Sequence, residues 1–393
     1  MSGDALLSRP ADVALVTLAV LALAATQRGA ATNAPVLAPY LAGFCLVVGP
    51  FLAHSLSIPF GSGLAIFPVF AAIVLGICLF VVPQVLAFER VLAVVAAIAA
   101  TVVAVGLPSL VVGPYSIAGF EIRPWTNASV SALGLVSLPA LRSVFPNPNT
   151  LGLVAFPGTI AGAIALERAH ARERPAAAVA AALVAALALL GTYLSNSRAS
   201  LLAALVGIAV YAVGTAGRRY VSLALGGLCA LVLAGIAGIA SGVLPVDPSG
   251  RIELWTASVE ALLAGPTLFG SGVVATDDLI APYLPEGLAG RTPHNSYLSI
   301  ALRVGVVGLA GYLLLVVGPL VHGALAPERV DPGALALAVA FAIHQLFEGY
   351  TLLQYGPGAV LGALAVGYVL ASLIRDPDRT EEPAETTKPA RFL

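Results

Sequence analysis

Long apolar runs separated by short polar segments dominate the chain. A helix that crosses a bilayer needs about 20 predominantly apolar residues. Runs near that length occupy residues 12–27, 35–54, 63–82, 91–112, 149–166, 176–194, 199–215, 220–242, 296–320, 334–350 and 356–374. The pattern predicts an all-α, polytopic membrane helix bundle of about eleven spanning helices, within a range of about 10 to 12.

Two stretches fit this pattern less well. The run at 12–27 has no basic segment before it, so we interpret it as a spanning helix and not as a cleaved signal peptide. Residues 128–145 contain Pro139 and Arg142, and we expect them to form a loop or a re-entrant segment.

The longest polar interruption runs from Gly250 to Ser296. It overlaps a predicted loop at about 243–295. A connection of this length between spanning helices is uncommon unless it has a function. The segment 375–393 is charged and rich in Pro and Thr, which is typical of a disordered tail. The sequence thus predicts one membrane domain, 1–374, followed by that tail.

Composition agrees with the membrane class. Hydrophobic residues make up 59% of the chain, charged residues 10%, and the mean hydropathy is +0.97. A soluble domain carries about 25% charged residues. The net charge of −1 gives no basic surface for nucleic acid, so no such partner is expected. The three cysteines lie in apolar runs, and no metal or cofactor motif is present, so neither is expected.

Basic residues predict the orientation of the helices. They concentrate in three short loops and in the tail: Arg168, Arg172 and Arg174; Arg218 and Arg219; Arg329; and Arg375, Arg379, Lys388 and Arg391. All four places fall on one side of the predicted spans, which we therefore expect to be cytoplasmic. The predicted loop at about 243–295, residues 195–198, the turn at 146–149 and residues 348–350 would then face outward from the cell membrane.

Two arginines at the predicted outer face are candidates for binding an anion, because guanidinium offers phosphate a planar fork of donors. Arg198 begins an apolar run and could instead snorkel to the interface. Arg251 begins a segment in which apolar residues recur at helical spacing, with Trp255 as an interfacial anchor. The alternative for Arg251 is a solvated residue on an amphipathic helix that rests on the membrane.

His294 is the sharpest single candidate. Thr292 and Pro293 match a hydroxyl N-cap followed by proline at the first helical position. That assignment puts His294 in the first turn, where the helix dipole disfavours the imidazolium and free N–H groups can bind an anion. The ring is then expected to stay neutral and to accept a proton. The alternative is a polar residue without a chemical role.

In the tenth apolar run, His344 and Glu348 are four residues apart, which predicts one helical face. Polar groups at membrane depth face the bundle interior, so the pair could line a substrate groove or form interhelical hydrogen bonds. Asn295 and Arg291, which flank His294, are further candidates for supporting positions.

Taken in order, these segments resemble the O-antigen ligase family, which includes O-antigen polymerases and O-linked oligosaccharyltransferases. The resemblance is carried by Ser195-Asn196-Ser197-Arg198, Gly250-Arg251 with Trp255, Leu268-Phe269-Gly270-Ser271-Gly272, His294-Asn295-Ser296-Tyr297-Leu298 and Gly305, with the turn Phe145-Pro146-Asn147-Pro148-Asn149 before them. It departs at Arg303, where many relatives carry an acidic residue.

The resemblance implies a fold like that of the type C glycosyltransferases and a metal-independent, inverting glycan transfer at the outer face of the membrane. The donor would be a glycan on a polyprenyl diphosphate carrier, and the acceptor a hydroxyl of a glycolipid, a growing polysaccharide or a protein. By motif match His294 would be the catalytic base, and Arg198 and Arg251 would bind the diphosphate.

Two other classes compete with this one. A solute transporter typically shows internal repeats and broken helices that meet at the midplane. The sequence has no clear repeat, and its polar residues cluster towards one face. A membrane scaffold without catalytic activity would leave the arginines and His294 unexplained.

Overall fold

The structure is a computed structural model that describes residues 30–56, 67–132, 136–241, 243, 250–350 and 356–374. Its α-helices are, in chain order, α1 (Ala30–Leu56), α2 (Phe67–Gly76), α3 (Val82–Val85), α4 (Phe88–Gly106), α5 (Ser109–Val112), α6 (Pro148–Ala171), α7 (Pro175–Leu194), α8 (Arg198–Ala216), α9 (Arg219–Ala240), α10 (Arg251–Ala264), α11 (Thr276–Ile280), α12 (Ser296–Leu325), α13 (Pro332–His344) and α14 (Pro357–Ile374). A π-helical turn, Ile77–Val81, joins α2 to α3.

Eight helices in the described part of the chain are long and apolar enough to cross a membrane, and two further apolar helices are shorter. The chain is thus a polytopic helical membrane protein, as predicted. The count of about eleven spans is not confirmed, because the run at 12–27 lies outside the described residues. The predicted tail, 375–393, also lies outside them.

Helix α13 lies at the centre of the bundle. Every residue from Gly333 to His344 is buried, and α13 packs on α8 and α14. With 13 residues it is about 20 Å long, shorter than the hydrocarbon core of about 30 Å. Its enclosure by other helices explains how so short an apolar helix is stable at this depth.

The predicted basic side forms one end of the bundle. Arg168, at the end of α6, pairs with Asp331 at 2.8 Å and with Glu89 at 3.0 Å. Arg218, after α8, donates a hydrogen bond to the carbonyl of Val330 at 2.6 Å. The three basic loops therefore meet, and α6, α8, α12 and α13 each run between this basic end and the opposite end, which contains residues 149, 198, 296 and 344.

Residues 113–141 contain two β-hairpins, so the all-α prediction and the loop predicted at 128–145 are wrong for this stretch. Strand β1 (Tyr115–Ile117) pairs with β2 (Phe120–Ile122), and β3 (Pro124–Ala132) pairs with β4 (Val136–Leu141), both antiparallel. A hydropathy window tuned to spanning helices misses the short alternation of exposed Ser129 and Ser131 around buried Val130.

The hairpins lie at the end opposite the basic loops. The Tyr193 hydroxyl, near the end of α7, donates to the carbonyl of Ser131 at 2.5 Å. Arg142, just after β4, is buried and donates to the carbonyl of Pro146 at 3.0 Å. The following turn positions α6, because the side chain of Asn147 accepts the N–H of Thr150 at 3.0 Å and caps the helix.

Helix α12 is broken at Gly305, which has φ +69° and ψ −171°. An unbroken helix would separate residues 297 and 312 by about 22 Å. The rings of Tyr297 and Tyr312 are 5.8 Å apart between centroids, so the first three turns fold back over the rest. The apolar run predicted as one span at 296–320 therefore includes a turn of the chain, and residues 306–325 are the part long enough to cross.

The clamp segment, which we define as Thr267–Gly272, fills the break. Four backbone hydrogen bonds join the two: Ser271 N–H to Leu302 O (2.9 Å), Gly272 N–H to Arg303 O (2.7 Å), Val306 N–H to Thr267 O (2.9 Å) and Val307 N–H to Leu268 O (3.2 Å). Helix groups freed by a break must find partners in a membrane protein, and the clamp segment supplies them. Close contact with the backbone of the break explains Gly270, and close contact with the side chain of His54 explains Gly272.

Replacement of Gly305 by alanine tests this account. A Cβ there would lie 2.2 Å from the carbonyl atoms of Leu268, and φ is positive, so Gly305→Ala should lower the apparent Tm of the detergent-purified protein by about 5 °C or more. Gly226→Ala in α9 is the matched control, because no atom lies within 4 Å of its Cβ position. Equal melting temperatures for both variants would contradict a tight clamp.

Candidate functional site

The carboxylate of Glu348 joins three distant parts of the chain at the end opposite the basic loops. Its oxygens lie 3.6 Å from Nη2 of Arg251, 3.3 Å from Nδ2 of Asn149 and 3.9 Å from Nδ1 of His294. The Glu348 side chain is 13% exposed, so these partners replace most of its water. We call Arg198, Arg251, His294 and Glu348 the charged cluster.

Glu348 does not lie on a helix with His344, so the predicted common helical face is wrong. Helix α13 ends at His344, and residues 345–348 form turns. The turn is attached to the start of α12, because the N–H of Ser296 donates to the carbonyl of Gln345 at 2.8 Å. The Ser296 hydroxyl also donates to the carbonyl of Glu348 at 2.7 Å. This attachment places the carboxylate beside His294.

His294 lies before helix α12 and not in its first turn, which corrects the predicted helix start. The N-cap is Asn295, whose side chain accepts the N–H of Leu298 at 3.1 Å. Asparagine is a stronger N-cap than threonine, so it displaces the predicted Thr292 cap. His294 has φ +47° and projects from the preceding loop, with its side chain 38% exposed.

This correction changes the chemistry expected at the helix start. The N–H groups of Ser296 and Leu298 are already bonded, to Gln345 and Asn295. The first turn therefore offers fewer free donors for an anion than the sequence suggested. Positive charge at this end comes from the arginines instead.

Arg251 and Arg198 are close enough to interact. Burial lowers the pKa of Arg251, Glu348 opposes that shift, and the charge on Arg198 adds to it. The Arg251 side chain is 22% exposed and its guanidinium lies 5.8 Å from the ring centroid of Phe347. The solvated alternative for Arg251 therefore does not describe its surroundings. Arg198 is exposed at the first residue of α8, after the N-cap Ser197.

Trp255 supports the loop that contains His294, and its role as an interfacial anchor stays a prediction. Its indole N–H donates to the carbonyl of Pro293 at 3.1 Å, and its ring lies 6.4 Å from that of Phe347. Helix α10 nevertheless keeps an exposed apolar side, formed by Ile252, Val259 and Leu263. One side of the helix thus holds Arg251 near His294, and another side is apolar.

His344 lies beneath the charged cluster and is fully buried. Its Nε2 is 3.0 Å from Oγ of Ser200, its Nδ1 is 3.1 Å from the hydroxyl of Tyr350, and its ring stacks on Phe156 at 4.8 Å. These contacts join α13 to α8 and α6, and they fit the interhelical hydrogen-bond alternative better than a groove lining.

The two remaining candidates, Asn295 and Arg291, have different surroundings. Asn295 caps α12, and Arg291 is exposed after the turn Glu286–Leu288, without an ion pair to Glu348 among the described contacts. Asn149, which contacts Glu348, is indicated by the sequence only as part of the turn before α6. The sequence signal for it was weak, because a side-chain amide at a helix start is usually explained by capping.

Comparison with known proteins agrees with the sequence resemblance. A family model described as O-antigen ligase matches residues 183–313, about a third of the chain. The match includes Arg198, Arg251, the clamp segment and His294 but not Glu348. No curated protein matches the chain. Over this stretch the chain is similar to the O-antigen ligase family, and the similarity supports a glycosyltransferase-like activity of the ligase or polymerase type.

Proposed function

We propose that the protein transfers a glycan from a polyprenyl diphosphate carrier to a hydroxyl acceptor at the outer face of the cell membrane. The acceptor class comprises glycolipids, growing polysaccharides and proteins. The observation that carries the proposal is the meeting of Arg251 and His294 at Glu348, with Arg198 near Arg251. A base and two cations in one place match the two needs of this reaction, proton removal and stabilisation of a diphosphate leaving group.

The arginines would hold the diphosphate. Their mutual repulsion, which contributes to the lowered pKa of Arg251, is relieved when an anion with two or more negative charges lies between them. In the structure the carboxylate of Glu348 is the anion that lies beside Arg251. It would share Arg251 with the incoming diphosphate. Each guanidinium can bind two phosphate oxygens at once, which fixes the orientation of the leaving group.

His294 would act as the base. If its Nδ1–H faces Glu348, then Nε2 is available to take the proton of the acceptor hydroxyl. The acceptor oxygen forms a bond to the anomeric carbon while the bond from that carbon to the diphosphate breaks, and the electron pair leaves with the diphosphate. A single displacement inverts the anomeric configuration. Glu348 stabilises the imidazolium that forms, as the carboxylate does in a catalytic triad.

The structure contains one feature that is typical of transporters, a broken helix. The backbone groups freed by this break are not available to bind a substrate. Broken helices in transporters coordinate ions or substrate through freed backbone groups. At Gly305 those groups are hydrogen-bonded to the clamp segment. The break therefore supports the loop between α10 and α12, which contains His294, and we keep glycan transfer as the proposed function.

Replacement of His294 by alanine should lower glycan transfer by about 10²–10⁴-fold, the usual effect of removing a general base. The side chain is 38% exposed, so the variant should fold and melt close to the parent protein. Membranes with matched expression should accumulate lipid-linked glycan and lack the glycosylated acceptor. Transfer at the parental rate would remove His294 from the mechanism.

Arg251→Lys should also reduce transfer strongly. Lysine keeps the charge, but it loses the planar fork that binds two phosphate oxygens. Arg219→Lys, at the exposed basic end, is the matched control and should be silent. The assay is donor turnover at several donor concentrations, with protein amounts equalised. Equal activity of the two variants would mean that Arg251 acts as a point charge or not at all.

We expect transfer to need no divalent metal, because the arginines provide positive charge at the leaving group. Full activity of the purified protein in excess chelator is the expected result. Loss of activity in chelator, restored by adding a divalent cation, would contradict this part of the proposal.

A further inference from the structure

We propose that the outward face of hairpin β3–β4 binds the glycan of the lipid-linked donor, an inference that rests on the proposed function. The face has two parts: a bulge at residues 126–128, and the exposed serines Ser129, Ser131 and Ser137. We call these residues the hairpin surface; Trp125, which pairs with buried Ala140, belongs to the opposite face of the hairpin. No residue of this surface belongs to the charged cluster.

The bulge sets the shape of the hairpin surface. Pro139 and Ala140 are adjacent on β4, yet their partners Ser129 and Trp125 are four residues apart on β3. The three intervening residues leave the ladder, and bulges of this kind redirect side chains near functional sites. Thr126 and Asn127 are exposed as a result.

The chemistry of the hairpin surface fits a saccharide. Thr126, Asn127 and the serines offer uncharged donors and acceptors. The charges nearby are paired, since Arg123 lies 3.2 Å from Glu121. An uncharged polar surface suits sugar hydroxyls better than a diphosphate.

The position of the hairpin surface selects the donor glycan over an acceptor. The hairpin is attached to the α7–α8 connection, where Tyr193 donates to the carbonyl of Ser131 at 2.5 Å and Asn196 to that of Ser129 at 3.4 Å. Asn196 is two residues before Arg198, a proposed diphosphate ligand. In a lipid-linked donor the first sugar is bonded directly to the diphosphate, so the glycan must extend from that point.

The test uses the full-length protein in detergent and two donors from the host cell, one with a complete glycan and one trimmed to the first sugar. The variants are Asn127→Ala and Thr126→Ala, both at exposed residues outside the ladder. Each should raise KM for the complete donor by about tenfold, leave kcat within about twofold and leave KM for the trimmed donor unchanged. Phe120→Ala, at an exposed aromatic residue of the other hairpin, is the control and should change neither.

Three other kinetic outcomes would overturn the inference. An equal rise in KM for both donors would mean that the hairpin acts through Arg198, and a rise for the acceptor alone would assign the surface to the acceptor. Unchanged kinetics in both variants would exclude any role in donor binding.

A binding measurement separates this inference from the proposed function. Water-soluble oligosaccharide released from the same donor by mild acid should show saturation-transfer NMR signals with the parent protein and with His294→Ala, but not with Asn127→Ala. Signals that persist in Asn127→Ala and Thr126→Ala would overturn the inference. Should His294→Ala retain transfer while the hairpin variants lose the signals, the proposed mechanism fails and the glycan surface stands.

Discussion

Arg251 and Glu348 meet at 3.6 Å in surroundings that shield both from most of the solvent. A shielded charge without a partner is strongly destabilising, so each residue depends on the other. Because the pair joins α10 to the turn after α13, it holds the polar loop against the bundle. His294 and Asn149 lie against the same carboxylate, so three other segments of the chain meet at Glu348. The charged cluster is at once a structural joint and the proposed reaction centre.

The break in α12 is the second constraint, and it acts through the backbone. A chain that folds back at Gly305 exposes amide groups that a membrane protein must satisfy internally. The clamp segment supplies these partners and in doing so fixes the loop between α10 and α12. The glycines of Phe269-Gly270-Ser271-Gly272, which carry part of the family resemblance, thus support the site by permitting close contact. Their presence is explained without a catalytic role.

The two ends of the bundle divide the polar residues by task. At the basic end, Arg168 and Arg218 bind acidic side chains and carbonyls that hold helix ends together. At the other end, the arginines lie near one another, and one carboxylate is shared by several partners. A surplus of positive charge beside an accessible histidine is an arrangement that a polyanionic substrate would complete. The hairpins add an uncharged polar surface next to it.

Hydropathy alone determined the class of the protein, the described apolar helices and the placement of the basic loops at one end. These properties depend on local composition, which sums along the chain without regard to distant contacts. The order of Arg198, Arg251 and His294 likewise carried the family resemblance. Tertiary structure decided the rest. The turn after α13 binds Ser296 at the helix start that Asn295 caps, and Glu348 gained its partners from segments about 50 to 200 residues away. Such contacts leave no periodic signal, because each is a single pairing between residues brought together by folding.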